Sequence, residues 1–494
     1  MQDHHYFPEG NISLVAAASL KAGTDYNCGC VLPSGIPVAL SQGILNIEDV
    51  NKSVRRILRT LFLLGEFDAN VPYRSWGLDR FDTDSHRSLA LDAAMQGLVL
   101  LKNDGRILPF DPSTKVALIG PNADNAAAML SSYVGQNVLA ESHTPWKAAQ
   151  AMGLPWTYEK GCDFDSDDTS GIPRAVMLAK ASERAVLVLG LHFQSESEWG
   201  NPPDCVNDRV NITLPDIQLK LLSAVLDTGI PTTVVLMNGG TIGVQQWIGQ
   251  VSALIEAFYP GELGGDAIVR SLLGQGNRWG RLSHTFYPDR IVERSFYTVE
   301  SAGLTFDGGI TNMQYTGKYG PVVFPFGFGL SYTTFSYSWA NTSTGHERLR
   351  YITGPDFVDI DASIDLGDSH HDDQGISFRC NVTNTGSITG DAIVFAFVSG
   401  PSPDYPLQRL FGFERITLES GESRVVQFLL SYHSMAGVTE SGERWLKAGT
   451  VLVIRIGDVS SPVEHTVRLI SKSRRSAVQL PLFPGSPSKT LRKK

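Results

Sequence analysis

The 494-residue sequence lacks long apolar runs and an excess of positive charge. No run approaches the roughly 20 apolar residues that a membrane-spanning helix requires, so we expect no association with a membrane. Lysine and arginine number 41 against 51 aspartates and glutamates, which gives a net charge of −10. A nucleic-acid-binding protein would present a basic face, and a nucleic-acid partner is therefore not expected.

Cysteine is also scarce, and no signal peptide is visible. The odd number of cysteines leaves at least one unpaired, and their scatter excludes a disulfide scaffold: Cys28, Cys30, Cys162, Cys205 and Cys380. The opening residues, MQDHHYFPEG, lack a basic start and an apolar run, so either the protein is intracellular or its true beginning is missing. Secretion is indicated only by five N-x-S/T sequons, which begin at Asn11, Asn51, Asn211, Asn341 and Asn381.

The centre of the chain, residues 115–331, alternates between apolar strands and helical patterns. The strands are KVALIG, AVLVLGL, TTVVLMN and ALIEAFY, and PRAVMLAKASER and LPDIQLKLLSAVLD are helical. Continuous apolar runs indicate strands that are buried on both faces. The pattern therefore predicts an α/β sandwich with a mostly parallel sheet and helices on both sides.

The C-terminal part changes to the period of two that is typical of half-buried strands. Residues 332–470 contain ISFRCNV, DAIVFAFV, SRVVQFLL and TVLVIRIG, separated by turn-forming stretches. Their spacing predicts an immunoglobulin-like β-sandwich. The acidic stretch GPDFVDIDASIDLGDSHHDDQG is interpreted as a solvated connection, and residues 471–494 as a disordered basic tail.

The first segment, residues 1–75, is predicted to contain two helices around a short strand, GTDYNC, and residues 76–114 form a connector. Ser13 is the expected N-cap of the first helix and Gly23 its end. Asn46 and Asp49 form a capping box for the second helix, which ends at Gly65. Its apolar stripe comprises Ile47, Val50, Val54, Ile57, Leu58, Leu61 and Phe62. These elements cannot close a core, so the segment is a fragment of something larger or docks onto the next domain.

Two carboxylates, Glu196 and Glu198, follow the strand AVLVLGL by a few residues. Parallel sheets bind ligands at the carboxyl ends of their strands. The glutamates are either solvated loop acids or include a general acid/base for glycosidic cleavage. That chemistry needs one protonated carboxylic acid and a second carboxylate. The neighbouring Trp199 would raise a carboxyl pKa and stack on a sugar face.

Six longer stretches carry a resemblance to a known family: AASLKAGTDYNCG, AAMQGLVLLKNDGRILPF, KVALIGPNAD, YPGELGGDAIVRSLLGQGNRWGRL, FPFGFGLSYTTF and LFGFERITLESGESRVVQFLL. In unbroken order they resemble glycoside hydrolase family 3, in its β-xylosidase/α-arabinofuranosidase branch. The resemblance implies that residues 1–75 are the remnant of a (β/α)₈ barrel. Residues 115–331 would be the family's α/β sandwich, and residues 332–470 its fibronectin-III-like β-sandwich.

The resemblance also implies roles for individual residues. The family's acid/base glutamate precedes an Asp-Arg pair, which points to Glu198 ahead of Asp208 and Arg209, with Glu196 as the alternative in the SESEWG stretch. Asp208 and Arg209 are expected to form a structural ion pair. Trp199 remains a candidate for substrate binding. Two further residues beside the last barrel strand, Tyr26 and Asn27, are either substrate neighbours or simply residues at the end of that strand.

The family's nucleophile is an aspartate in a Ser-Asp-Cys or Ser-Asp-Trp motif, and neither motif occurs ahead of residue 13. Asp3 is no substitute, because nothing before it could form the strand that would hold it. A (β/α)₈ barrel needs about 250 residues, and residues 1–75 supply only its last strand with the flanking helices. We therefore expect this chain alone to be inactive, as a truncation or the product of an incomplete gene model.

The function implied is hydrolysis of β-xylosidic or α-arabinofuranosidic bonds by a retaining, two-carboxylate mechanism. No metal or organic cofactor is implied. The expected partner is an oligosaccharide or a plant cell-wall polysaccharide, and the intact protein would be extracellular. The alternative is a non-catalytic carbohydrate-binding or scaffold protein. The oligomeric state is not predicted.

Overall fold

The chain divides into two compact units, residues 1–86 and 87–494. Within the described ranges, every helix is too short or too polar to cross a membrane. The computed structural model describes residues 11–27, 29–130, 140–191, 211–289, 322–340, 361–363, 375–401, 404–439, 442–447, 449–470 and 477–480. The described part of the first unit contains three α-helices: α1 (Ile12–Ala22), α2 (Val31–Ser41) and α3 (Ile47–Leu63).

Helix α1 begins at Asn11, and the prediction of Ser13 as its N-cap is wrong. The Asn11 side chain accepts hydrogen bonds from the backbone N–H groups of Ser13 and Leu14, and asparagine is among the strongest capping residues. Ser13 lies inside the helix, and its hydroxyl oxygen is 2.6 Å from Asn11 Oδ1 and 2.9 Å from Gln42 Oε1. The helix ends at Gly23, as predicted.

The prediction of a strand at GTDYNC is wrong for residues 24–27, which form no strand, and the unpredicted helix α2 follows them. Its sequence, VLPSGIPVALS, conceals the helix because Pro37 and Gly35 are poor helix formers. Gly35 is required by packing, since a Cβ atom there would lie 2.5 Å from the Ile12 carbonyl oxygen of α1. Helices α1 and α2 enclose a small apolar core: Ala16, Ala17, Leu20, Leu32, Ala39 and Leu45.

Helix α3 has the predicted capping box and an apolar stripe that is largely exposed. The Asp49 N–H donates to Asn46 Oδ1 at 3.0 Å, and the Asn46 N–H donates to Asp49 Oδ2 at 3.3 Å. On the predicted stripe, Ile47 and Phe62 are 63% and 62% exposed. Within the described part of the first unit, the stripe is therefore not covered as an amphipathic helix ordinarily is.

The second unit contains a six-stranded sheet in the order β1-β6-β5-β4-β2-β3. Strands β2 to β6 run parallel and β1 is antiparallel at the edge. Helix α4 (Asp84–Gly97) leads into the elements of this domain: β1 (Val99–Asn103), β2 (Val116–Ile119), α5 (Pro145–Ala151), β3 (Trp156–Glu159), α6 (Ile172–Lys180), β4 (Arg184–Gly190), α7 (Asp216–Leu226), β5 (Thr232–Met237), β6 (Ala253–Glu256) and α8 (Gly264–Leu272).

The parallel sheet is covered on both faces, as the continuous apolar runs predict. Alternate residues of β4 belong to opposite cores, with Val186 and Val188 in one and Leu187 and Leu189 in the other, and all four are 0% exposed. The region predicted as a connector contributes the edge strand β1, so the α/β domain starts before the predicted boundary at residue 115.

The C-terminal β-sandwich is also present, and all four predicted strands lie within β9, β10, β12 and β15. Its sheets have the orders β11-β10-β15-β16-β8, β12-β9-β7 and β13-β14-β17. The elements are β7 (Phe335–Trp339), β8 (Asp361–Ser363), β9 (Gly375–Asn384), β10 (Gly390–Ser399), β11 (Arg409–Leu418), β12 (Ser423–Ser431), α9 (Tyr432–Met435), β13 (Gly437–Val438), β14 (Arg444–Lys447), β15 (Val451–Gly457), β16 (Val463–Ile470) and β17 (Ala477–Leu480).

Two stretches predicted to be irregular each contribute a strand. Strand β8 lies in the acidic connection and pairs in parallel with β16. Strand β17 lies in the predicted disordered tail and pairs with β14, so that prediction is wrong for Ala477–Leu480. Residues 481–494 of the predicted tail lie outside the described part of the chain.

A buried ion network joins the β-sandwich to the α/β domain. Asp391 on β10 is 1% exposed in its side chain and accepts from Arg415 at 2.6 Å and from Arg278 at 3.3 Å. The Thr417 hydroxyl also donates to Asp391, at 2.7 Å. Arg415 in turn donates to the backbone carbonyl of Gln96 at 3.1 Å. One carboxylate therefore holds two guanidinium groups at the junction of the two folds.

This network predicts the effect of removing its carboxylate. Asp391→Ala leaves the two guanidinium groups without their shared partner, and we expect it to lower the free energy of unfolding by about 3 kcal/mol. Urea denaturation monitored by circular dichroism measures the change. The matched control is Glu414→Ala, an exposed residue on β11, for which we expect a change within about 0.5 kcal/mol. Equal effects of the two variants would contradict the assignment.

Candidate functional site

The predicted acid/base loop follows β4, and its central residues lie outside the described part of the chain. This applies to Glu196, Glu198, Trp199, Asp208 and Arg209. The structure describes the residues that flank the loop, Leu191 before it and Asn211 after it. The strand end from which the predicted loop starts is therefore defined.

The two other predicted site residues, Tyr26 and Asn27, belong to the first unit and lie between α1 and α2. Tyr26 is 81% exposed. The preceding residue, Asp25, accepts hydrogen bonds from Arg56 of α3, from Nε at 2.8 Å and from Nη2 at 2.6 Å. The Arg56 guanidinium lowers the pKa of the Asp25 carboxyl. This ion pair ties the segment that carries Tyr26 to α3.

The topology of the parallel sheet marks one place where a ligand site is expected. The chain leaves β2 toward β3 on one side and returns to form β4 on the other side of β2. Doubly wound sheets have a crevice where the direction of winding reverses, and ligands bind there at the carboxyl ends of the strands. The predicted acid/base loop begins at this reversal, directly after β4.

Strand β4 extends beyond its neighbour β2 at this crevice. The two strands pair in parallel only as far as Leu187 and Ile119. On the opposite side, β4 stays paired with β5 through Gly190 and Met237, and the Leu191 N–H still donates to the Met237 carbonyl at 2.8 Å. On the side facing β2, the backbone N–H and C=O groups of the final residues of β4 therefore have no strand partner among the described residues.

Gln218 and Asn122 satisfy these backbone groups. The Gly190 N–H donates to Gln218 Oε1 at 2.9 Å, and Gln218 Nε2 donates to the Gly190 carbonyl at 2.8 Å and to the Phe164 carbonyl at 2.9 Å. Asn122 Nδ2 donates to the Leu191 carbonyl at 3.2 Å, and the Asn122 N–H donates to the Val188 carbonyl at 3.3 Å. Both side chains are 0% exposed.

Gly190 itself cannot be replaced without displacing a neighbouring strand. Its φ is +139°, a region that side-chain-bearing residues avoid, and a Cβ atom would lie 2.0 Å from the Met237 carbonyl oxygen. The strand end thus combines a glycine-only backbone with hydrogen bonds to both of its main-chain polar groups. The backbone at Gly190 and Leu191 is therefore held in one conformation directly before the predicted acid/base loop.

Acidic and aromatic side chains lie around β2 and β3. After β2, Asp124 accepts from the Thr144 hydroxyl at 2.6 Å. Tyr158 on β3 stacks on Trp146 with ring centroids 5.8 Å apart. Burial, and then the negative charges of Asp124, Glu159 and Asp163, raise the pKa of Tyr158 to about 12. The surroundings of Tyr158 therefore favour its neutral, protonated form.

Sequence reasoning did not identify Gln218 or Asn122. The available signal was Gln218, a polar residue on the buried face of α7 beside Ile217 and one turn before Leu221. A buried polar side chain requires hydrogen-bond partners, which the sequence cannot specify. Among the residues described, no group of three or more His, Cys, Asp or Glu side chains is arranged to hold a metal ion.

Two family profiles match the second unit. The Glycosyl hydrolase family 3 C-terminal domain matches residues 98–332, and the Fibronectin type III-like domain matches residues 392–460. The first match begins next to β1, which agrees with the inclusion of that strand in the α/β domain. The Phe324 ring packs in the core of this domain, whereas Phe326 contacts Phe395 and Phe397 of the sandwich, so the FPFGFG stretch lies at the junction of the two folds.

Curated relatives and solved structures agree with these profiles. Probable exo-1,4-beta-xylosidase bxlB of Aspergillus flavus is 33% identical over 459 residues, which are 91% of this chain and 56% of the relative. Beta-D-xylosidase 1 of Arabidopsis thaliana is 33% identical over 469 residues, 92% of this chain and 58% of the relative. The chain thus spans a little over half the length of the curated relatives it matches.

Two solved structures share the fold across nearly the whole chain. A GH3 exo-beta-xylosidase (XlnD) in complex with a xylobiose aziridine probe has a TM-score of 0.77, with 27% identity over 98% of this chain and 61% of that one. The β-glucosidase EmGH1 of Erythrobacter marinus has a TM-score of 0.73, with 26% identity over 95% of this chain and 62% of that one.

The folds and their order define a polypeptide of the glycosidase class. More particularly, the chain belongs to glycoside hydrolase family 3, of which it carries the C-terminal α/β domain and the fibronectin type III-like domain.

The raised pKa of Tyr158 predicts a loss of stability at alkaline pH. The unfolded phenol titrates near pH 10 and the folded one near pH 12, so the contribution of Tyr158 is intact below pH 10 and is lost as the pH rises to 12. We expect Tyr158→Phe to reduce the fall in melting temperature between pH 9 and 12. Tyr26→Phe, at an exposed position, serves as control. Identical pH profiles for wild type and Tyr158→Phe would contradict the prediction.

Proposed function

We propose that the whole protein is a retaining glycosidase that cleaves β-xylosidic or α-arabinofuranosidic bonds in hemicellulose-derived oligosaccharides, with Glu198 as its acid/base. The observation that carries the proposal is the position of the strand end at Leu191, at the reversal of the parallel sheet, where ligand sites gather. The printed names of the relatives, exo-1,4-beta-xylosidase and beta-D-xylosidase, support the sugar class.

The reaction proceeds in two balanced steps. In the first, a carboxylate attacks the anomeric carbon, the bond to the leaving oxygen breaks, and Glu198 gives its proton to that oxygen. In the second, the Glu198 carboxylate takes a proton from water, the resulting hydroxyl attacks the anomeric carbon, and the nucleophile is released. Trp199 stacks on the sugar, and Asp208 and Arg209 shape the loop.

In this proposal, the nucleophile lies in the part of the whole protein that corresponds to the region of the relatives not spanned by this chain. The exposed stripe of α3 supports this assignment. Ile47 and Phe62 would be covered by the neighbouring elements of a complete (β/α)₈ barrel, of which residues 1–75 would be the last part. Tyr26 and Asn27 would then border the sugar site. Secretion of the whole protein is part of the proposal, supported by sequons at the exposed Asn11 and Asn211.

One prediction of this proposal concerns the 494-residue chain by itself. With only one carboxylate of the required pair, we expect no turnover of 4-nitrophenyl β-xyloside or 4-nitrophenyl α-arabinofuranoside above the rate without protein. Release of 4-nitrophenol by the purified chain, abolished by Glu198→Ala, would contradict it. Calorimetric titration with xylo-oligosaccharides tests the non-catalytic alternative. Saccharide binding, without hydrolysis either by this chain or by a chimera that contains a complete barrel, would favour a binding protein.

Another prediction uses a chimera in which the part of the Arabidopsis relative that this chain does not span is joined ahead of residues 11–494. We expect this chimera to hydrolyse xylobiose and 4-nitrophenyl β-xyloside. Glu198→Gln should lower kcat/KM for xylobiose by about 100-fold or more, because general acid catalysis contributes that much. The loss should be smaller for the aryl xyloside, whose leaving group needs less protonation.

Azide provides the diagnostic for the second step. In the Glu198→Gln chimera, azide replaces the water that lacks a general base, so turnover of the aryl xyloside should rise and β-xylosyl azide should form. Glu196→Gln is the matched control, two residues away, and should behave like the parent. If azide increased turnover in the Glu196→Gln chimera instead, Glu196 would be the acid/base. If azide increased turnover in neither chimera, the acid/base would not lie in this loop.

A further inference from the structure

We propose that Gln218 and Asn122 are positioning residues for the proposed acid/base, because they fix the end of β4 that precedes Glu198 in the chain. This inference rests on the proposed function of Glu198. It concerns described residues only: two buried amide side chains and the backbone groups of Gly190 and Leu191.

Gln218 takes the place of a missing strand. In a parallel sheet, alternate residues point their N–H and C=O groups to the same side, so Val188 and Gly190 both face the side that β2 leaves after Ile119. Gln218 accepts from the Gly190 N–H and donates to its carbonyl, at 2.9 and 2.8 Å. One amide side chain thus forms both hydrogen bonds that a neighbouring strand would form with Gly190.

Asn122 extends this arrangement by one residue. Its side chain donates to the Leu191 carbonyl at 3.2 Å, and Leu191 is the last described residue before the loop. Its own N–H donates to the Val188 carbonyl at 3.3 Å. The Val188 carbonyl, both main-chain polar groups of Gly190 and the Leu191 carbonyl are therefore all hydrogen-bonded to Asn122 or Gln218.

The chemistry of the proposed reaction explains why hydrogen bonds that fix the end of β4 affect the rate. General acid catalysis requires the carboxyl group within hydrogen-bond reach of the leaving oxygen, and a displacement of about 1 Å can cost about 100-fold in rate. A loop whose first residue could shift would lose that precision. Gln218 is also bonded to the Phe164 carbonyl at 2.9 Å, so the strand end is tied to a third segment of the domain.

The test uses Gln218→Met, which keeps the approximate volume and removes all three hydrogen bonds. In the purified chain, we expect amide hydrogen exchange to accelerate at Gly190 and Leu191 without a comparable change in β5. Val225→Ala, a buried residue on the same helix α7, is the matched control for general destabilisation. It should accelerate exchange across the domain without singling out the end of β4.

In the chimera described above, Gln218→Met should lower kcat for xylobiose about 10- to 100-fold with little change in KM, because it displaces the acid rather than the substrate. The loss should be smaller for the aryl xyloside, as for Glu198→Gln. Val225→Ala should affect the two substrates equally. Asn122→Ala should show the same substrate dependence as Gln218→Met.

Gln218→Glu supplies a conservative rescue. A protonated carboxyl can still accept from the Gly190 N–H and donate to its carbonyl, whereas an ionised one cannot donate. The activity of Gln218→Glu relative to the parent chimera should therefore be highest at the acid end of the pH profile and fall as the pH rises.

The outcomes separate the two proposals. An inactive parent chimera overturns the proposed function and with it the role of Gln218. An active parent whose Gln218→Met and Asn122→Ala variants fold and keep its kcat for xylobiose, and a Gln218→Glu variant with an unchanged pH profile, overturn the positioning role alone.

Discussion

The unequal length of β2 and β4 is the constraint on which the candidate site depends. Strand β4 continues past its neighbour at the reversal of the sheet, and a strand edge buried there would carry unsatisfied polar groups. Gln218 and Asn122 supply the missing hydrogen bonds, and Gly190 fits only because it lacks a side chain. As a result, the end of β4 is held by hydrogen bonds directly before the segment that contains Glu196 and Glu198.

The same requirement for satisfied buried polar groups governs the junction with the sandwich. Asp391 is nearly inaccessible and is tolerated because Arg278, Arg415 and Thr417 all bind it. The carbonyl contacts of Arg415 then reach back into the α/β domain. Aromatic packing of Phe326 on Phe395 and Phe397 accompanies this network. The two domains are thus joined by a hydrogen-bonded ion network and by aromatic packing.

The sequence was informative where burial is periodic. Continuous apolar runs predicted β2, β4, β5 and β6, and alternation predicted four strands of the sandwich. It failed where tertiary contacts override local preference. Helix α2 contains Pro37 and Gly35 and forms because Gly35 permits close contact with α1. Strands β8 and β17, of three and four residues, are too short to show a pattern and are held by their partner strands. Glu198 could be proposed from its place in the chain, but Gln218 could not, because its role exists only through the register of β4.

The central claim is that the segment after β4 bears the proton donor, and affinity labelling tests it most directly. N-bromoacetyl-β-D-xylosylamine carries an alkylating bromoacetyl group in place of the leaving group, where the proposed mechanism puts the acid/base carboxylate. The account predicts that it inactivates the chimera with 1:1 stoichiometry, that xylose protects, and that peptide mass spectrometry finds the label on Glu198. Inactivation with the label outside residues 192–210 would contradict the account.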